Sequence, residues 1–407
     1  MLSTRSLLSI GLAAILVTCT GCPPKPPPPP IVEQPTDYNW APPEGEMALF
    51  KLTDPSQFPD FSQGYDHKSG LEQAAMYSLD YLSKPSSELF FPYLDVTHER
   101  AVNSLKAFRD VLKSATSPQD LDARIKERFD IYMSRGAEDK RIVLFTGYYR
   151  PIFDARLQPD GEFRYPLHKR PSELVYNPAT SGYQRQDGSP YHTRGEIAQG
   201  ALNGKNLELC YLRDPFEAYI VTVQGSGKLR LADGSFFEIG YAGDNGLDYE
   251  SVGQELVRRN LIRPEDLSLQ GLIAFFQRHP EHLDLLNLNK RYIFFTPRTG
   301  GPWGSLNVPV TPYYSIATDK TIYPRACVAF MQTKLPAHDG SGAIRDYAYS
   351  GFALDQDRGN AIRAAGRCDV FLGTGPEVGQ LAGRTYAEGK LYYIFVKEPA
   401  RQDRSPQ

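Results

Sequence analysis

Apolar residues recur at helical spacing near the front of the chain and at strand-like spacing behind it. Leu71, Ala75, Leu79 and Leu82 share one face, as do Val102, Leu105, Phe108 and Leu112, which predicts two amphipathic helices. A third helix is predicted from Ser117 as N-cap, Pro118 at the first helical position and Asp120 in the first turn, followed by Leu121, Ile125, Phe129 and Tyr132. These stripes are core faces. At Ile142 the pattern changes to a buried strand through Tyr149, ending in Gly-Tyr-Tyr-Arg-Pro. Strand-like segments then dominate, separated by tight turns at Asp187-Gly188, Asp233-Gly234 and Asp244-Asn245-Gly246. Ala218 to Val223 reads as an alternating strand running into Gln224-Gly225-Ser226-Gly227. A helical interlude from Tyr249 to His282 carries Val252, Leu256, Leu261, Leu272, Phe275 and Phe276. It is followed by a strand at Tyr292 to Phe295 and a β-rich final third closing with Leu391 to Val396. No repeat of solenoid period is visible.

The first 22 residues have the anatomy of an export signal: Arg5, an apolar run from Leu7 to Val17, then Thr20-Gly21-Cys22. The run is too short for a permanent transmembrane helix. Gly21-Cys22 resembles a lipoprotein processing site, which makes Cys22 the expected lipidated residue. Cys19, after Thr18, is a poorer site, and an ordinary cleaved secretory signal is the alternative. Pro23 to Pro30 is nearly all proline, with Lys25 its only charge, and such a run favours an extended, semi-rigid spacer. Pro24 rather than Asp two residues after Cys22 resembles the sorting pattern for the outer membrane of a Gram-negative cell.

Across 407 residues, long enough for two or three domains, the formal charge is only −3 and Lys and Arg are scattered, which argues against a nucleic-acid partner. Plentiful Tyr, Phe, Gly and Pro suit short strands, turns and an aromatic-lined groove. Beyond the signal only Cys210, Cys327 and Cys368 remain, neither a disulfide framework nor a zinc pattern; three buried thiols, or one bridge and a thiol, are the alternatives. His279 and His282 are the only close histidine pair, and Pro280 between them argues against a shared helical metal face.

Near the C-terminus, Ala353-Leu354-Asp355-Gln356-Asp357 and Cys368-Asp369-Val370-Phe371-Leu372 are short apolar runs carrying Asp where a strand would end, with glycine-rich turns behind. Two readings stand on spacing alone: Asp357 and Asp369 cap turns, or two carboxylates converge in one cleft.

An ordered set of motifs accompanies them. Gly147-Tyr148-Tyr149-Arg150-Pro151 and Gln224-Gly225-Ser226-Gly227 are joined by Thr193-Arg194 with Glu196-Ile197, Tyr241-Ala242-Gly243 with Asn245-Gly246, and Ser251-Val252-Gly253. Ala317-Thr318-Asp319, with Ile322 and Pro324, then precedes Asp357 and Asp369. From about Phe145 to Lys397 the set resembles the membrane-bound lytic murein transglycosylase A family, its last third resembling the three-Asp domain. The resemblance implies a mainly β fold with an N-terminal helical segment: a discontinuous double-psi β-barrel domain interrupted by a second β-barrel domain, with a groove along the join. On that basis residues 1–22 are a signal peptide, 23–45 a Pro-rich linker, 46–151 and 298–398 the two parts of the first domain, 152–297 the insertion and 399–407 a tail.

A saccharide groove needs aromatic planes for sugar faces, here Tyr148 and Tyr149, and polar rims, here Gln224 and Ser226. Gly225 and Gly227, with Gly359, Gly373 and Gly375, let backbone approach a ligand. The resemblance implies cleavage between N-acetylmuramic acid and N-acetylglucosamine by attack of the sugar's own C6 hydroxyl, giving a 1,6-anhydro product. One carboxyl, Asp369, then serves as acid and afterwards as base. A negative neighbour or burial must keep it partly protonated; Asp357 is the nearer candidate and Asp319 a more distant one. Arg358, Gly359 and Asn360 depart from the family's pattern, and Arg358 is expected to face solvent. The implied partners are peptidoglycan glycan strands and, through a lipid anchor, the outer membrane's periplasmic face. No metal or organic cofactor is implied, and no partner in a cell-wall complex is specified. A binding lipoprotein without turnover and a hydrolase using water are the competing readings.

Overall fold

The helical front forms where its caps predict it. In the computed structural model, which describes residues 36–177, 182–263, 267, 269–359 and 362–398, helices run over Lys68–Leu82, His98–Ser114 and Pro118–Arg128. Thr97 accepts from the Arg100 N–H at 3.1 Å and Ser117 from the Asp120 N–H at 3.1 Å, each satisfying an orphan donor of a first turn. The third helix stops at Arg128, short of expectation. Phe129 takes extended backbone and opens the strand Phe129–Ser134, which pairs with Tyr386–Val396. Phe129 and Tyr132 are buried as predicted, but as sheet residues: three-residue spacing does not separate a helix end from a strand buried on both faces. The expected export signal, Cys22, the proline tract, Asn360 and the tail lie outside the described residues. Residues from Thr36 onward already contact the body, with Tyr38 Oη donating to Glu388 Oε1 at 2.6 Å.

Six strands close into a ring: Val143–Arg150, Tyr386–Val396, Val328–His338, Ile344–Asp357, Ser315–Ala317 and Arg367–Thr374, the last pairing parallel with the first. Phe129–Ser134 and Leu49–Lys51 extend this sheet outward from Tyr386–Val396. Closure removes sheet edges that would otherwise remain unpaired. The helices pack on the ring through Phe61, Phe108, Phe330 and Phe352, whose rings lie with centroids 4.8 to 5.5 Å apart.

Between the first and later strands of that ring the chain builds a second one from Ile293–Pro297, Phe236–Asp244, Ser226–Arg230, Ile152–Arg156, Glu208–Leu212 and Tyr165–His168. A bridge from Lys169 to Phe295 closes it. Its core holds Leu167, Cys210, Leu212, Leu229, Ile239 and Phe295.

One prediction fails here. Ala218 to Val223 lies inside the α-helix Pro215–Gln224, not in a strand. The run is apolar but for the buried Thr222, and Val221 faces the ring core while Tyr219 and Ile220 enter a separate helical cluster, so alternation carried no information. The flanking residues decide. Asp214 accepts from the Phe216 N–H at 2.6 Å, Pro215 takes the first helical position, and Gly225 ends the helix at φ +75°.

Cys210, Cys327 and Cys368 are buried free thiols, and burial pushes Cys210 up to about 12. Among the described residues no helix is long and apolar enough to cross a membrane.

Candidate active site

Sheet register builds the site. Ala317 pairs with Asp357 on one side and Asp369 on the other, and Asp369 pairs in turn with Thr146. Directly paired residues share a face, so the two carboxylates project from one side with their backbones two strands, about 10 Å, apart. Tyr148 and Phe371, two residues beyond Thr146 and Asp369, extend the same face and contact each other at a centroid distance of 5.1 Å. Asp357 ends its strand as expected, whereas Asp369 is the third residue of Arg367–Thr374 and lies near its strand's start.

A register shift beside Ala317 lets consecutive residues serve different surroundings. Gln356 is fully buried toward the helices, donating to Ala74 O at 2.7 Å and Ser78 Oγ at 3.0 Å. Asp357 takes the site. Its Oδ1 accepts from the Ser305 and Arg358 N–H groups at 2.7 and 2.8 Å, and its Oδ2 from Tyr148 Oη at 2.8 Å. Burial raises its pKa while these donors pull the other way.

Asp369 has the opposite environment. Its Oδ1 is buried without a hydrogen-bond partner among the described residues. Burial pushes its pKa up to about 7; Arg367 and the Thr146 hydroxyl temper the rise and the Asp357 charge adds to it. One carboxylate is held by three donors and the other has its pKa drawn up by burial, an arrangement that suits the second to carry a proton.

Asp319 does not join them. Its Oδ1 accepts from Thr321 N and Oγ1 at 3.0 and 2.6 Å and its Oδ2 from the Ala364 N–H at 3.0 Å, so it braces two loops. Tyr149 also departs from expectation: strand alternation turns it away from Tyr148, and its buried ring packs under Gly379 instead of offering a face to a sugar. Its N–H donates to Gln224 Oε1 at 3.3 Å, linking the strand of one ring to the helix end of the other. Gly225 caps that helix, and Ser226 and Gly227 open the next strand, buried against Gly240 and Ile239. Gly373 is the penultimate residue of Asp369's strand and Gly375 lies between that strand and the helix Pro376–Arg384, its N–H donating to Arg150 O at 3.0 Å. Gly359 follows Asp357 by two residues, and Arg358 is half-buried where solvent exposure was expected.

Three contributors escaped the sequence reading. Ser305 binds Asp357 from a loop with no periodic signal. Gly304 allows that approach, because a Cβ there would lie 2.7 Å from Gln356 O and 3.3 Å from Asp357 Cγ. Asp355 forms a buried ion pair with Lys320 and accepts from Thr318 Oγ1 and Tyr393 Oη at 2.7 Å each. A carboxylate directly after Ala353-Leu354 was a visible demand for a cation. Gly304→Ala is expected to displace Ser305 and lower kcat by about tenfold, roughly the worth of one charge-assisted hydrogen bond. Steady-state kinetics with circular dichroism on that variant checks this.

Comparison with known proteins agrees with this layout. Residues 144–296 match the MltA specific insert domain and residues 314–395 the 3D domain. Over 281 residues the chain is 32% identical to the membrane-bound lytic murein transglycosylase A of Escherichia coli K12, covering 67% of this chain and 72% of that one. The Vibrio cholerae protein of the same name is 32% identical over 273 residues, 66% of this chain and 69% of that one. Two solved structures share the fold. A membrane-bound lytic murein transglycosylase from Agrobacterium tumefaciens gives a TM-score of 0.71 at 24% identity, covering 86% of this chain and 98% of that one. E. coli MltA with bound chitohexaose gives 0.67 at 24% identity, covering 90% of this chain and all of that one. With two ring-forming sheets in this order and this extent of identity, the chain belongs to the membrane-bound lytic murein transglycosylase A family.

Proposed function

We propose that this protein is a lytic transglycosylase that cleaves the β-1,4 bond between N-acetylmuramic acid and N-acetylglucosamine in peptidoglycan, with Asp369 as the single acid and base. The observation that carries it is the buried, unpartnered Oδ1 of Asp369 beside a fully hydrogen-bonded Asp357. Relatives named lytic murein transglycosylase A support the substrate class. Protonated Asp369 gives its proton to the leaving glycosidic oxygen as positive charge develops on the sugar. The resulting carboxylate then accepts the proton of the C6 hydroxyl as that oxygen closes on the anomeric carbon. Asp357, oriented by its three donors, faces the cationic centre from two strands away and fixes Tyr148, whose half-buried ring edges the site. No second carboxylate is required as nucleophile.

Incubation of the full chain with purified murein tests the activity: release of soluble muropeptides is expected, and saturable binding without release would favour the non-catalytic alternative. The pH profile tests the acid. Activity should fall as pH rises through about 7, where Asp369 loses its proton. In Asp357→Asn the falling limb should move to lower pH, by less than burial raises it, because burial is the larger cause. An unmoved limb would leave Asp357 a purely geometric role.

The ring containing Asp369 has two parallel pairings, which supports the double-psi topology and the division into residues 46–151 with 298–398 and the insertion 152–297. Cys22 is the lipid anchor on the periplasmic face of the outer membrane, with the proline tract as spacer. Fatty-acid labelling should disappear in Cys22→Ala; persistent labelling would move the anchor to Cys19.

A further inference from the structure

A cavity of about 600 Å³ between the strands Tyr165–His168 and Glu208–Leu212 of the inserted ring and the helices packed on them shares no lining residue with the surroundings of Asp357 and Asp369. Its volume lies within the roughly 300–1,000 Å³ usual for small-ligand sites. Arg194, only 7% exposed, contributes to its wall. The guanidinium is held firmly: Nε donates to Asn289 O at 3.1 Å, and Nη2 to Thr222 Oγ1 and Arg291 O at 2.9 and 2.7 Å. It sits 4.7 Å from the Tyr219 ring centroid and 5.5 Å from that of Tyr292. None of these partners is anionic, and among the described residues Arg194 has no ion pair and its Nη1 has no acceptor. A buried cation is ordinarily matched by a carboxylate. Burial draws its pKa below the usual arginine range, as expected of a charge left unmatched.

The rest of the wall narrows the ligand. Arg164 adds a second cation and Glu208 is the one acidic residue in the lining. His168 is buried, held neutral by desolvation at about 4, and bonded through Nδ1 to Tyr292 Oη at 2.8 Å. Gln199, Asn203 and Asn287 bring side-chain amides, the chemistry that pairs with peptide bonds.

We propose that this cavity binds the terminal carboxylate of a short peptide, with Arg194 Nη1 as its charge partner and the side-chain amides on the adjoining peptide group. It rests on the peptidoglycan reading only for the choice of probe, D-alanyl-D-alanine. A carboxylate beside an amide is also offered by N-acetylmuramic acid, which forms the second arm. Calorimetric titration of the full chain should show the dipeptide binding at least tenfold more tightly than its C-terminal amide. Ala198→Trp, at an exposed lining position one helical turn from Arg194 and outside its hydrogen bonds, should weaken the dipeptide at least tenfold while leaving release from peptide-free glycan unchanged. Arg194→Gln should do the same, with its thermal unfolding followed because Arg194 also ties three segments together. Equal affinity for acid and amide, undiminished binding in Ala198→Trp, or no binding at millimolar dipeptide overturns the proposal. Tighter binding of N-acetylmuramic acid, lost in Ala198→Trp, overturns the peptide assignment in favour of the sugar. Binding is read without turnover, so loss of the lytic reading would leave this result standing, and the reverse.

Discussion

Asp369→Asn should lower turnover by about 10²–10⁴-fold, the usual range for removing a general acid–base group, while glycan binding and fold survive. The amide is nearly isosteric and can neither give nor take the catalytic proton. Stability should move in the opposite direction from activity. Burial raises the folded pKa of Asp369 to about 7 from the ordinary carboxylate range near 3.8, so between those values the folded state holds a proton that the unfolded chain has released. The parent therefore loses stability as pH rises from about 4 to 7, and the Asn variant escapes that loss. Its Tm relative to the parent should climb across this range and level off above it. Thermal scans at pH 4, 6 and 8, together with muropeptide release, check both halves; a variant with near-parental release would remove Asp369 from the mechanism.

The largest effect on stability is expected at Lys320. The Lys320–Asp355 pair lies within the first ring at 1% and 0% side-chain exposure, and desolvation pushes each partner toward its neutral form, Lys320 downward and Asp355 upward. Thr318 and Tyr393 satisfy further sites on the carboxylate. Lys320→Met removes one partner and leaves an uncompensated buried charge, costing about 3–5 kcal/mol. Lys320→Met with Asp355→Leu removes both charges and should recover most of that loss, since a packed apolar pair is often neutral or stabilising against the buried ions. Urea unfolding of the parent, single and double variants measures the two differences. A single variant within about 1 kcal/mol of the parent would fall below even a typical charged hydrogen bond and contradict the pairing.

Helical positions were legible where a cap and a stripe agreed, as at Ser117-Pro118 with Leu121 and Ile125. They were illegible where a segment is buried all round. Ala218 to Val223 carries no alternation, because Val221 enters a ring core and Tyr219 and Ile220 a helical one; Asp214-Pro215 and Gly225 were the signals to weigh. At the site, Asp357 and Asp369 were visible because each belongs to a short apolar run with glycines behind it, Asp357 at the end of its run and Asp369 ahead of Val370 to Leu372. Their placement on either side of Ala317 was not, since it depends on a register shift between strands distant in sequence. Tyr148 and Tyr149 are equivalent in composition, and only the period of the strand sends one to Asp357 and the other beneath Gly379. Asp319 fits the family's spacing, yet its hydrogen bonds are spent on Thr321 and Ala364. Ser305 acts through its backbone, which no side-chain motif encodes.

On the proposed mechanism the substrate's own hydroxyl, not water, attacks after Asp369 protonates the leaving oxygen. Digestion of purified murein by the full chain in water enriched in oxygen-18, with mass spectrometry of the released muropeptides, tests it most directly. Products ending in 1,6-anhydromuramic acid, without added water or heavy oxygen and absent with Asp369→Asn, are the predicted result. Reducing ends carrying one heavy oxygen would show that water is the nucleophile and contradict the single-carboxyl account.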